Sequence, residues 1–234
     1  MKLAIMQPYF IPYIGYFQLI NAVDQFIIYD DIQYTKKGWV NRNRVLVNHK
    51  DAYITLPLKK DSDYADIRDR CLAESWGLER DKILNRLMAN YKKAPYFEET
   101  YPPIEGILLF DKVNLFEYLL HSLKVILGHL NIHTPIIISS DVNVDKTLKS
   151  QEKVIAICRK MNASNYINPI GGTCLYNKNN FNQQNIELHF LKTQKIQYQQ
   201  FENIFIPSLS IIDVLMFNSV DRVKSMINEK YELV

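Results

Sequence analysis

Residues 3–31 read LAIMQPYFIPYIGYFQLINAVDQFIIYDD, and the fold class is decided in this stretch. Leu3–Met6 is a short apolar run stopped by Gln7 and Pro8, as expected of a buried strand. Gln7–Pro12 is rich in proline and aromatics and reads as a turn. Between Tyr13 and Val23, Tyr13, Phe17 and Ile20 recur at helical spacing with Ile14, Leu19 and Val23 beside them, which predicts a helix. Phe26–Tyr29 is a second apolar run, ending on Asp30 and Asp31. Strand, turn, helix and strand within about 30 residues make a βαβ unit.

The same alternation continues downstream. Further strands are expected near 136–138, 165–168 and 186–191. A helix is marked by Val154, Ile155, Ile157, Cys158 and Met161. Another spans 209–217, with Ile212, Leu215 and Met216 on one stripe and Ser208 or Ser210 as cap. Val45–Val47 and Tyr53–Leu58 flank the polar run Asn48–Asp51 and suggest a hairpin. Ile67–Leu72 is expected as one more strand. From Trp76 to Gly128 the pattern is helical. One stripe is Ile83, Leu84, Leu87, Met88 and Tyr91, another is Leu115, Leu119, Leu123, Ile126 and Leu127, and Pro95, Pro102 and Pro103 punctuate the stretch. Strands alternating with helices imply an α/β fold, a mainly parallel sheet with helices on both faces in a Rossmann-like arrangement. The expected organisation is one domain over 1–234, with 76–128 as a helical insertion.

The 234 residues are 47% hydrophobic and 23% charged, ordinary globular values that exclude a disordered or collagen-like chain. Twenty-eight basic and 25 acidic residues leave a net charge of +3, too balanced for a non-specific nucleic-acid binder. Fifteen Tyr and 11 Phe against 7 Gly suit a half-wet cleft, because tyrosine has an apolar body and a polar tip. The three cysteines, Cys71, Cys158 and Cys174, form no CxxC. Neither a disulfide framework nor a metal site is indicated, and a reducing compartment fits. The apolar run before Gln7 is too short for a signal-peptide core, and no stretch suits a membrane span. A cytoplasmic location is expected.

In an open parallel sheet, ligands bind beyond the carboxyl ends of the strands. Gln7–Pro12, Asp30–Gln33, Ser139–Asp141 and Asn168–Gly172 all fall there and are expected to converge. Adjacent strand residues point to opposite faces. One of Asp30 and Asp31 is therefore read as a general base or amine anchor and the other as a turn-binding residue; the bland alternative is an Asx turn. The densest cluster is Lys36-Lys37-Gly38-Trp39-Val40-Asn41-Arg42-Asn43-Arg44. Arginine grips phosphate or carboxylate bidentately and tryptophan stacks on a base or sugar, so a phosphorylated ligand suits it. As a strand it would place Trp39, Asn41 and Asn43 on one face and Arg42 and Arg44 on the other. Gly171-Gly172 offers backbone N–H groups to a ligand. Cys174 has no histidine near it in sequence to activate it as a nucleophile. The turn Tyr13-Ile14-Gly15-Tyr16 resembles the HxGH signature of nucleotidylyltransferase-like proteins, with tyrosine in place of both histidines.

Three stretches carry a resemblance to a family: residues 6–45, MQPYFIPYIGYFQLINAVDQFIIYDDIQYTKKGWVNRNRV; 166–181, YINPIGGTCLYNKNNF; and 209–219, LSIIDVLMFNS. Together they resemble the hallmarks of the WbqC-like family, which occurs in bacterial gene clusters for O-antigen and other surface polysaccharides. The resemblance implies an enzyme that transfers an aminoacyl group, glycine, to the amine of a nucleotide-linked amino sugar. The donor is left open between free amino acid, carrier thioester and aminoacyl-tRNA, and ATP is used if an acyl adenylate is formed. Other readings are a non-catalytic scaffold of the polysaccharide machinery or a nucleotidyl-transfer enzyme. Carried over by position, Asp30 and Asp31 are the catalytic candidates. Gln7, Tyr9, Gly15, Tyr16, Gln33, Trp39, Asn41, Arg42, Asn43, Arg44, Asn168, Gly171 and Gly172 are the substrate-binding candidates, joined by Lys37 from the cation cluster, with Pro12, Gly38, Pro169, Tyr176, Phe181, Asp213 and Asn218 also on the motifs.

Overall fold

A computed structural model describes residues 1–202 and 204–234. The elements run β1 (Lys2–Met6), α1 (Ile14–Asn21), β2 (Gln25–Ile28), β3 (Arg42–Val47), β4 (Lys50–Thr55), α2 (Trp76–Tyr91), α3 (Phe97–Leu108) and α4 (Leu115–His129). They continue with β5 (Ile136–Ile138), α5 (Ser150–Lys160), β6 (Asn165–Pro169), α6 (Lys178–Asn182), β7 (Glu187–Thr193), α7 (Ile211–Phe217), α8 (Val220–Glu229) and β8 (Tyr231–Leu233). Six strands form one sheet in the order β5-β2-β1-β6-β7-β8. All neighbours are parallel except β7 and β8. The chain winds outward from β1 through β2 to β5, then resumes on the other side of β1 with β6. The winding direction therefore reverses between β1 and β6, which makes this a topological switch point of the sheet.

Alternation along the strands divides the core in two. Ala4, Phe26, Ile28 and Ile167 point to the face packed by α1, α7, α8 and the α2–α4 helices. Leu3, Ile5, Ile27, Tyr29, Tyr166 and Leu188 point to the face packed by α5 and α6. The α/β architecture with helices on both faces thus follows from period-2 burial in strands that alternate with amphipathic helices.

Several local expectations are corrected. The hairpin closes through two residues, Asn48 and His49, both at positive φ (47° and 66°). That geometry matches the twist of the strands, so β4 starts at Lys50, and Leu56–Leu58 lie beyond it. Ile67–Asp69 is a single 3-10 turn; only Leu72 and Cys71 make isolated bridges, to Leu58 and Asn114. Pro102 and Pro103 lie inside α3, because burial of Phe97, Tyr101, Ile104 and Ile107 outweighs the missing N–H groups. Met88 is 40% exposed rather than part of its stripe. Trp39 and Asn41 precede β3, so no strand face unites them with Asn43.

The turn between β1 and α1 is held by distant segments. Ile11 is fully buried with φ 40°, an unusual conformation for a β-branched residue. The Asn43 amide donates to the carbonyls of Phe10 (3.0 Å) and Ile11 (2.8 Å). Ser210 Oγ donates to the Ile11 carbonyl (2.7 Å) and the Ile211 N–H to that of Pro12 (2.9 Å). A second buried network centres on Asp213, which accepts from Tyr91 (2.8 Å), Tyr198 (2.6 Å) and Gln200 (2.6 Å). Tyr91 in turn accepts from the Leu46 N–H (2.7 Å), linking α2, α7 and β3.

Two stability predictions arise here. Asn43→Ala strands the Phe10 carbonyl and leaves that of Ile11 to Ser210 alone, and should lower unfolding stability by about 2 kcal/mol, read by urea denaturation; a residue serving ligand alone would leave stability unchanged. Burial raises the Asp213 carboxyl above its ordinary value, against three lowering hydrogen bonds. The folded state thus holds that proton more tightly than the unfolded chain. Its favourable contribution is complete below the usual carboxylate range of about pH 4 and is lost as pH rises through the raised value. The stability of the wild type relative to Asp213→Asn should therefore fall as pH rises from about 4, then level off.

Candidate functional site

The carboxyl edge of the sheet carries a cleft on the α1 face. Its first part, about 330 Å³, is lined by Tyr9, Pro12, Tyr13, Trp39, Asn43, Arg44 and Ser208. A second part, about 500 Å³, shares Tyr13 and Ser208 and runs along residues 193–197 and 204–208 past the end of β7. The clamped turn points the start of α1 toward this space, where the helix dipole and free N–H groups favour an anion. Tyr13 is the N-cap and makes no side-chain capping bond. A Cβ on Gly15 would lie 2.5 Å from the Tyr13 ring, so glycine is what allows that ring to fold over the helix start.

Arg44 and Trp39 form the charged wall. Arg44 Nη1 pairs with Asp51 (3.1 Å) and Nη2 donates to the Ser208 carbonyl (3.2 Å). Its buried Nε has no partner among the described residues. The guanidinium sits 5.7 Å from the centre of the Trp39 ring. Trp39, 38% exposed, stacks on Tyr53 at 6.3 Å, and Arg42 covers Tyr53 at 4.6 Å. Arg42 also donates from Nε to the Gly38 carbonyl (3.1 Å) and from Nη2 to that of Lys37. Arg42 thus shapes the turn that presents Trp39. Tyr9 stays a phenol, its hydroxyl pushed up to about 12 by burial and by Tyr13.

A separate cluster forms where β2 and β5 end. Asp30, 2% exposed, accepts from Ser139 Oγ (2.7 Å), Ser140 N (3.0 Å) and Ser140 Oγ (2.8 Å). Asp31 accepts from the same Ser139 hydroxyl and pairs with Lys153 Nζ at 2.7 Å. One hydroxyl proton therefore faces two carboxylates. Lys153 is itself buried and lies 4.9 Å over the Tyr29 ring. Burial, then Asp31, Tyr176 and Asp66, push the Tyr29 hydroxyl upward, so this phenol too stays protonated. Tyr176 follows the 170–175 turn. A Cβ on Gly172 would lie 2.0 Å from the Asn168 amide; the buried Asn168 accepts from Tyr166 (3.1 Å) and donates to the Pro169 carbonyl (3.1 Å).

The candidates thus fall into two groups. Tyr9, Trp39, Asn43 and Arg44 line the cleft; Asp30 and Asp31 join Ser139, Ser140 and Lys153; none of Asp30, Asp31 or 168–172 lines the Arg44 cavity. The expected single convergence is replaced by two clusters, and Asp30 and Asp31 are not parted: β2 ends at Ile28, so strand alternation no longer applies to them and both reach Ser139. Several candidates are occupied internally. Asn41 accepts from Tyr34 (2.8 Å) and donates to Leu56 (2.8 Å), and Asn43 holds the turn. Buried Tyr16 donates to the Gln7 carbonyl (2.9 Å), and Gln33 donates to the Asp63 carbonyl (2.8 Å). Lys37 is exposed at φ 62°, Gly171 is exposed, and Cys174 is exposed in the same turn. Lys153 was missed, although it precedes Ile157 by one helical turn and so shares the buried stripe. Ser208 was read only as a possible cap, and nothing local marks it as a cleft residue.

Among the described residues no helix is long and apolar enough to cross a membrane. No solved structure matches the chain. A relative in Mycobacterium tuberculosis (strain ATCC 25618 / H37Rv), named as the uncharacterized protein Rv1507c, is 31% identical over 223 residues, covering 93% of each chain. The profile of the WbqC-like protein family matches residues 7–225, a span that takes in the clamped turn, the Arg44 cleft and the Asp31–Lys153 cluster; the chain belongs to that family.

Proposed function

We propose that the chain is an amide-forming transferase acting on a nucleotide-linked amino sugar, in the assembly of a bacterial surface polysaccharide. The observation that carries this reading is the Arg44 guanidinium, whose Nε has no partner among the described residues, beside the half-exposed Trp39 ring in a cleft at the carboxyl edge of the sheet. Arg44 and the start of α1 bind phosphoryl oxygens, and Trp39 stacks on a ring of the ligand. Asp31 is the more accessible of the two carboxylates. Asp30 is almost fully buried and held by both N–H and hydroxyl of Ser140 and by a share of the Ser139 hydroxyl, whereas Asp31 is less buried and is held in place by Lys153. In the reaction the neutral sugar amine attacks the acyl carbon of an activated glycine. The C–N bond forms, the bond to the leaving oxygen or sulfur breaks, and the amine proton passes to the Asp31 carboxylate. An extended ligand would reach from the Arg44 cleft to Asp31 past Gln7, at the end of β1.

Calorimetry with a nucleotide-linked amino sugar tests the binding half. Arg44→Gln should cost about 2 kcal/mol of binding or more. Trp39→Ala should weaken binding while urea denaturation stays near wild type; unchanged affinity in both variants would overturn the cleft assignment. Mass spectrometry with glycine and ATP, a carrier thioester, or aminoacyl-tRNA tests the transfer. Asp31→Asn should depress turnover far more than affinity, because a base acts in the transition state. No mass gain with any donor would move the weight to a non-catalytic role.

A further inference from the structure

Arg70 is an isolated buried cation facing a second cavity. It is 4% exposed, and its backbone is pinned: its N–H donates to the Ile67 carbonyl (3.2 Å) and its carbonyl accepts from the Leu115 N–H (2.9 Å). The guanidinium lies 4.7 Å over the Tyr34 ring. Nη2 donates to the Ser62 carbonyl (2.6 Å), while the buried Nε has no partner among the described residues. Arg70 forms no ion pair among those residues. A buried guanidinium without a counter-ion is costly, and arginine cannot escape by losing its proton.

The cavity beside it measures about 380 Å³ and shares no lining residue with the Arg44 cleft. Its wall brings Lys36, Lys59 and Lys60 to Arg70, against Asp61 and Asp63, four cations against two carboxylates. Lys36 is held by Asp63 at 2.6 Å, with both side chains about two-thirds exposed. Lys59 also reaches Glu74, outside the wall, at 4.0 Å; the positive excess that remains, spread over several donors, suits a phosphoryl group better than a single carboxylate. The arginine fork and lysine ammonium groups supply donors to several oxygens at once.

We propose that this cavity is a phosphoryl-binding site, separate from the cleft of Arg44, in which Arg70 anchors the anion and Lys36, Lys59 and Lys60 close around it. The ligand is a free phosphate or the phosphate end of a nucleotide. Asp63 acts as a resident competitor that the ligand displaces from Lys36.

Calorimetry at fixed ionic strength, with inorganic phosphate, pyrophosphate and ADP as separate titrants and citrate as the carboxylate control, tests this. A phosphoryl titrant should bind and citrate should not; heat from phosphate alone indicates the free anion, and heat from ADP alone the nucleotide. Arg70→Gln and the exposed Lys60→Glu should each weaken binding roughly tenfold or more. Asp63→Asn should tighten it, because Lys36 is released. Lys60 and Asp63 are exposed, so those two variants do not depend on Arg70 being replaceable in the fold. Three results overturn the proposal: no phosphoryl binding, stronger citrate binding, or binding indifferent to Lys60→Glu and Asp63→Asn but abolished by Arg44→Gln.

Discussion

The carbonyl of Ile11 is the point on which the structure turns. It accepts from Asn43 on the hairpin and from Ser210 at the head of α7, while Phe10 and Pro12 on either side are tied to Asn43 and Ile211. Three segments far apart in sequence meet there, and they hold a β-branched residue at positive φ that it would not adopt alone. Ser210 N donates to the Arg44 carbonyl (2.8 Å), so the clamp also fixes the strand that carries the charged wall of the cleft. Removing the clamp would let the start of α1 drift from Arg44, and the cleft would lose its shape before it lost any charge.

Parallel winding then sets where chemistry can gather. Because β1, β2, β5, β6 and β7 all end at one edge, polar residues following them are neighbours whatever their sequence separation. The edge nevertheless has two sides. Tyr9, Tyr13 and Arg44 belong to the side of α1. Asp31 joins Lys153 of α5 on the other. Each side balances its own charge, Arg44 against Asp51 and Asp31 against Lys153.

The strands β1, β2, β5 and β6 were legible because each is a short apolar run beside proline or aspartate, and α1, α2, α4 and α5 because each shows a 3.6-residue stripe; β8 (Tyr231–Leu233) and α6 (Lys178–Asn182) offer neither signal and went unread. Period and punctuation report burial directly. Single residues were less legible. Asn41 and Asn43 look like ligand contacts in a cluster of cations, yet their amides satisfy backbone carbonyls 15 and 32 or 33 residues away, a partnership that no local pattern encodes. Asp30 and Asp31 were equivalent in sequence; more than 100 residues downstream, Ser139 bonds both, Ser140 bonds Asp30 and Lys153 positions Asp31. Arg70 carries no motif at all, and its isolation shows only when the neighbours folded around it are known.

Tryptophan fluorescence tests the central claim most directly, that ligand binds on the clamped cleft. The chain has two tryptophans. Trp76 is buried edge-on against Tyr118 at 5.6 Å, and Trp39 lies half-exposed beside Arg44. In a Trp76→Phe variant the emission comes from Trp39 alone. Titration with a nucleotide-linked amino sugar should change that emission saturably, with a midpoint equal to the calorimetric Kd. Calorimetric binding that leaves Trp39 emission unchanged would place the ligand elsewhere and contradict the account.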